Sequence, residues 1–298
     1  MYSNPSGTGL RLLFHSIAVT LGAMLILALA NSVLIQQTGL SVPDGDTPVA
    51  SLAQRTQLRI LLLGNNFVLY ALPAILALYL TYGGSWARMA GLKRPRQRQV
   101  WFAVLAFVAF LPLVSLAAFL NLQIELPTWM AQKESSSGAL LATVLHIAST
   151  PELLLTLFTV AVIPGISEEL FFRGLLQGRL LSYVSGPHGA IWIAAFLFSA
   201  IHFQFAGFFP RLLLGAGLGY TYRWTGSLWV PIALHMLFNG IQVVVANASG
   251  TGPIEGDLES FGPAGYFVGL CGAIVVGYLF IRSERLLAAR RADDQESR

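Results

Sequence analysis

Glu168, Glu169 and Arg173 lie in a run of residues otherwise apolar enough to cross a membrane. An ionised side chain at the centre of a bilayer costs roughly 2.5–3.5 kcal/mol even on lenient insertion scales, so such groups persist where they are paired, face a cavity or do chemistry. Further along, His202 follows Phe198 by one helical turn and Asn239 follows His235 by one turn, again in apolar surroundings. A carboxylate beside a neutral imidazole can hold a water molecule and take its proton. Donors such as His235 and Asn239, four residues apart on one helical face, suit the oxyanion formed when that water attacks a carbonyl. Glu168 and Glu169 point about 100° apart on a helix, which gives them separate tasks. Glu169 and Arg173 have the spacing and order of an intrahelical ion pair, a structural clamp. Glu168 is left as the candidate base, with His202 as its natural partner.

Helices must carry these groups, and the composition says in what medium. Of the residues, 55% are hydrophobic and only 11% charged, with a mean hydropathy of +0.66; soluble domains carry about 25% charged residues. The sequence reads as an all-α membrane protein. Cys271 is the single cysteine, so neither an intramolecular disulfide nor a thiolate metal cluster is available. The net charge of +4 comes mainly from one loop and the tail, beside apolar spans, a pattern of membrane topology and not of nucleic-acid binding.

A crossing takes about 20 apolar residues. Eight are expected, at 12–35, 60–82, 100–120, 152–181, 188–203, 208–222, 228–246 and 265–281. The first is read as an uncleaved anchor although Ala28, Leu29 and Ala30 resemble a cleavage site. The basic loop of Arg88, Lys93, Arg94, Arg96 and Arg98 and the arginine-rich tail place both termini in the cytoplasm, opposite an acidic loop at Glu255, Asp257 and Glu259. A short apolar stretch ending at Ile147 reads as an interfacial helix, and the tail after Arg285 as a frayed end. The expected organisation is N-terminal transmembrane helices over 1–150, a catalytic transmembrane region over 151–282 and a cytoplasmic tail over 283–298. From a turn at Ser185 and Gly186, Glu168 and His202 each lie about 25 Å along their helices. From Thr225 and Gly226, His235 and Asn239 lie about 14 and 20 Å along theirs. The polar site therefore falls to the fourth, fifth and seventh spans, where Pro164, Gly165 and Pro231 loosen the backbone and admit water.

The same residues form three motifs in order: EExxxR from Glu168 to Arg173, FxxxH from Phe198 to His202 and HxxxN from His235 to Asn239. In this the sequence resembles the CAAX-processing and bacteriocin-processing (CPBP) intramembrane proteases, over roughly the third of the chain from Glu152 to Ala246. The resemblance implies water activation by Glu168 and His202, and oxyanion support by His235 and Asn239. It implies a glutamic-type endopeptidase that needs no metal or other cofactor and cuts near the C-terminus of a membrane-associated or prenylated protein or peptide. The protein itself would be a multi-pass resident of the plasma membrane.

Blander readings stand beside these. The charged set can be a purely structural polar network that fixes helix register. His15, His146 and His188 read as helix-packing hydrogen bonders, Phe198 as a packing residue, Asn65 and Asn66 as residues that make helix contacts or else line a cavity, and Arg211 and Arg223 as arginines that snorkel to headgroups. One glutamate and two histidines also allow a zinc-dependent membrane protease, although no HExxH motif is present. A proton-coupled transporter would use intramembrane Glu and His as relays, and some members of the resembled family are taken to be immunity proteins without proteolysis.

Overall fold

The computed structural model describes residues 5–39, 50–183, 185–249 and 263–296. These residues form nine helices and no strand: α1 Pro5–Thr38, α2 Leu52–Met89, α3 Gln97–Leu122, α4 Thr128–Leu145, α5 Thr150–Tyr183, α6 Pro187–Ala200, α7 Phe208–Thr225, α8 Trp229–Ser249 and α9 Pro263–Glu296. An uninterrupted helix satisfies its own backbone groups, which is why apolar sequence in a bilayer takes this form. Ser51 starts α2 through a capping box with Gln54. Gly226 ends α7 in the left-handed conformation, φ 61°, that glycine adopts without a Cβ penalty. Within α2 the segment Phe67–Ala71 is π-wound, and α5 is π-wound at Phe158–Val162 and Leu170–Leu180.

Contacts between helices give their directions. Arg55 and Arg59 meet Glu152, the Thr159 hydroxyl donates to Arg59 O, and Asn66 meets Glu168, so α2 and α5 run parallel. An odd number of traverses must separate two parallel neighbours. With α3 supplying one, α4 lies along the end of the bundle where α3 finishes and α5 begins. There Glu134 of α4 accepts the backbone N–H groups of Phe205 and Ala206. Antiparallel pairs complete the bundle: α5 with α6, α6 with α7, α5 with α8, and α9 against α3, where Gly269 and Gly272 approach Leu116 and Pro112. The opposite end gathers the basic loop, where Arg179 donates to Met89 O, Ser227 to Lys93 O, and Leu228 N–H to Gly91 O.

Five helices are long and apolar enough to cross a membrane: Gly7–Thr38, Leu52–Met89, Gln97–Leu122, Thr150–Tyr183 and Trp229–Ala248. That is fewer than the eight expected. Pro187–Ala200, with 14 residues, is about 21 Å long at 1.5 Å per residue, short of a hydrocarbon core of about 30 Å. The apolar part of α9, Phe267–Leu279, is similarly short. Other expectations change too. Arg223 does not snorkel but pairs with Glu284 of α9 at 2.7 Å, and Arg211 donates to Gln204 Oε1 at 2.7 Å. Protein acceptors brought alongside by α9 and by the segment after α6 replace headgroups as partners. The chain beyond Arg285 continues α9 as helix to Glu296. The acidic loop at Glu255, Asp257 and Glu259 lies outside the described residues.

Candidate active site

The site forms where α5 passes α2, α6 and α8. Gly165 lets α5 and α8 approach closely: a Cβ there would overlap Met236 Cγ and stand 3.4 Å from Ile232 O. One turn later come the two glutamates, both buried. Immediately after them α5 widens into its π-wound run, which sets Arg173 and Gln177 into contacts with α7. Such π-wound insertions recur at functional positions in helices.

Glu169 faces inward and is fully buried. Its Oε1 accepts from Arg173 Nη1 at 2.7 Å and from His235 Nδ1 at 2.8 Å. A carboxylate only accepts, so Nδ1 of His235 carries the proton and Nε2 faces the other way. That nitrogen lies 3.9 Å from Glu168 Oε2. His235 thus stands between the two glutamates, bonded to one and presented to the other. Glu169 Oε2 has no hydrogen-bond partner among the described residues. Arg173 is anchored further by a 2.7 Å bond from Nη2 to Gly215 O, and its guanidinium lies 4.9 Å over the Phe198 ring.

Phe198 is the platform of the site. Its ring meets Phe172, His202 and His235 edge to face, with centroids 5.2, 5.1 and 5.9 Å apart. His202 Nδ1 donates to Phe198 O at 2.7 Å, which leaves Nε2 with its lone pair. Among the described residues no direct hydrogen bond joins His202 to Glu168, although both Glu168 and His235 act on it electrostatically. Helix α6 ends at Ala200, and Phe203, just past His202, holds a φ of 51°. Such a conformation is uncommon for a bulky residue. Asn239 donates from Nδ2 to Val160 O, in the first π-wound segment of α5, at 3.0 Å.

The structure therefore gathers Glu168, Glu169, Arg173 and His235 in direct contact, with His202 joined through Phe198 and Asn239 one turn along α8. His235 comes within 3.9 Å of Glu168, while among the described residues His202 makes no direct hydrogen bond to it. Sequence reasoning gave Asn66 a cavity-lining or helix-contact role without a partner; the partner is Glu168, whose Oε1 accepts from Asn66 Nδ2 at 2.7 Å. The only signal was an amide in an apolar span. A second buried cluster was also missed: Arg55 and Arg59 both grip Glu152, which also accepts Ala148 N–H. Arg55 and Arg59 precede the expected span 60–82, and Glu152 is the first residue of the expected span 152–181. Among the described residues no three His, Cys, Asp or Glu side chains are grouped to hold a metal ion.

Residues 150–241 match the family described as type II CAAX prenyl endopeptidase Rce1-like. This region belongs to the CPBP family. The matched residues run from α5 into α8 and hold all three motifs, with His202 just past the end of α6. The chain is 33% identical over 93 residues to the membrane-embedded CAAX protease MroQ of Staphylococcus aureus (strain USA300), covering 30% of this chain and 38% of that protein. It is 26% identical over 117 residues to the uncharacterized protein YpbD of Bacillus subtilis (strain 168), covering 38% of this chain and 55% of that protein. The chain thus spans about half or less of the curated relatives it matches. No solved structure matches it.

Proposed function

We propose that the protein is an intramembrane endopeptidase in which Glu168 is the base that activates water. The observation that carries this reading is the pairing of Glu168 Oε2 with His235 Nε2 across 3.9 Å, inside a buried set held in place by Glu169 and Arg173. That gap is too long for a good hydrogen bond and suits a water bridging the two groups. The set holds two carboxylates against one guanidinium, so one added proton neutralises it. Proton transfer from the attacking water to Glu168 supplies that proton. Glu168 then passes it to the leaving amine, the base of one step acting as the acid of the next.

His202 flanks this water through its free Nε2. The proton that Glu168 takes from water is shared with His235 Nε2 across the 3.9 Å gap, and while it rests there His235 supports the oxyanion, together with the second N–H of Asn239, whose first is engaged by Val160 O, before it returns through Glu168 to the leaving amine. Glu169 and Arg173 act as the clamp that orients His235. The family match and the membrane-spanning helices support a membrane-associated protein or peptide substrate, with prenylated C-terminal tails as the candidates to try first. The same reading places the protein in the plasma membrane with both termini and the basic loop in the cytoplasm.

The test is cleavage of membrane-anchored peptides, prenylated and unprenylated, by the protein reconstituted in liposomes. Mass spectrometry should find one new C-terminus, formed equally well after treatment with a strong chelator. Activity lost on chelation and restored by zinc would replace the glutamic mechanism with a metal one. Proton-driven solute flux without cleavage would replace the protease.

A further inference from the structure

The bond from Asn66 Nδ2 to Glu168 Oε1 enters the site from α2, outside the region that matches the family. Three observations show a fixed arrangement. The Glu168 carboxylate only accepts, so the amide nitrogen of Asn66 is the end that faces it and Oδ1 is turned to the Ser167 hydroxyl, which also lies against Ile163 O. With Oε1 of Glu168 engaged, Oε2 is the oxygen turned toward His235. The register of α2 against α5 is locked about two turns earlier, where Arg59 grips Glu152, Val144 O and His146 O and Thr159 donates to Arg59 O.

We propose that Asn66 is a positioning residue of the reaction centre: its amide holds one oxygen of Glu168 so that the other is the one presented to water. This rests on the reading of Glu168 as the base. A buried carboxylate whose oxygens are both free can turn about its last bond, and its basic lone pairs then sweep past the water. Holding one oxygen removes that freedom. The other ionisable groups around Glu168 are Tyr70 from α2, Glu169 and Arg173 from its own helix, His202 after α6 and His235 from α8. None of these is shown donating a hydrogen bond to Oε1, so the amide has no substitute among them.

The experiment compares wild type, Asn66→Ala, Asn66→Asp and Glu168→Gln in liposomes on one cleavable peptide. Loss of the amide should lower kcat by roughly 10- to 100-fold, the scale of a small misplacement of a catalytic group, and leave KM unchanged. Asn66→Asp keeps the volume but sets a second carboxyl group against Glu168, so it should lose turnover at least as much, and unfolding midpoints of both variants separate that loss from lost stability. Infrared spectra with labelled glutamate give a readout that packing alone would not move. The carboxylate band absent from Glu168→Gln should shift in both Asn66 variants. An unmoved band with wild-type kcat, alongside an inactive Glu168→Gln, overturns the role of Asn66 and leaves the base standing. An active Glu168→Gln removes the base itself, whereas a shifted band in that case still reports the bond.

Discussion

Breaking the Glu169–Arg173 pair should expose how strongly this site depends on charge balance. Both side chains are almost completely buried, at 0% and 1% exposure, and Arg173 makes two 2.7 Å hydrogen bonds, to Glu169 and to Gly215 O. Arg173→Met keeps much of the volume but strands the Glu169 carboxylate, and removing one partner of a buried pair costs about 3–5 kcal/mol. Glu169→Gln strands the guanidinium and should cost a similar amount. Together the two changes remove both charges, and a buried pair replaced by neutral groups is often close to neutral in stability. His235 Nδ1–H still finds a carbonyl oxygen on Gln at 169. The double variant should therefore be less destabilised than the sum of the singles by at least about 2 kcal/mol, the coupling expected of residues in one network. Unfolding in mixed micelles, followed by circular dichroism against denaturant, measures all four proteins. Single-variant effects that add to within about 0.5 kcal/mol would refute the claim that these charges act as one unit.

Two further outcomes follow from contacts around the site. Gly165→Val puts a branched side chain where Met236 and Ile232 O already stand, so it should cost about 1–3 kcal/mol in the same assay and lower kcat by moving His235 away from Glu169; wild-type turnover would show that the close approach is dispensable. Glu152→Gln leaves Arg55 and Arg59 buried without their carboxylate, and should lower stability by about 3–5 kcal/mol while the residual folded fraction keeps a normal KM. An unchanged unfolding midpoint would contradict that.

Much of this arrangement was legible in the chain because it rests on spacing. The i, i+4 order of Glu169 and Arg173 and the helical depth of Glu168, His202 and His235 follow from a fixed rise per residue, and the hairpins keep those depths. Rotation about the helix axis was not legible. The π-wound segments at Phe67–Ala71, Phe158–Val162 and Leu170–Leu180 change the angle per residue, so faces assigned at a regular period drift. This drift is why the 3.9 Å approach of His235 to Glu168 could not be read from periodicity. Asn66 and the Arg55, Arg59 and Glu152 cluster depend on α2 packing parallel to α5, a contact between elements about 100 residues apart, as in the pairing of Asn66 with Glu168, for which no local pattern exists. The number of spans was less legible for a different reason: the apolar run of α6 forms a helix of only 14 residues, shorter than a full crossing, although Trp192, Ile193, Phe196 and Leu197 stand exposed along one face.

The central claim is that Glu168 is the base, and one variant addresses it with the fold held constant. Gln at 168 retains a carbonyl oxygen for the Asn66 amide and removes only the ability to take a proton. Single-turnover cleavage of an anchored peptide, with saturating protein in liposomes, should fall by about 10²- to 10⁴-fold in Glu168→Gln, the usual contribution of general acid–base catalysis, at an unchanged unfolding midpoint. Cleavage at the wild-type rate by that folded variant would contradict the account.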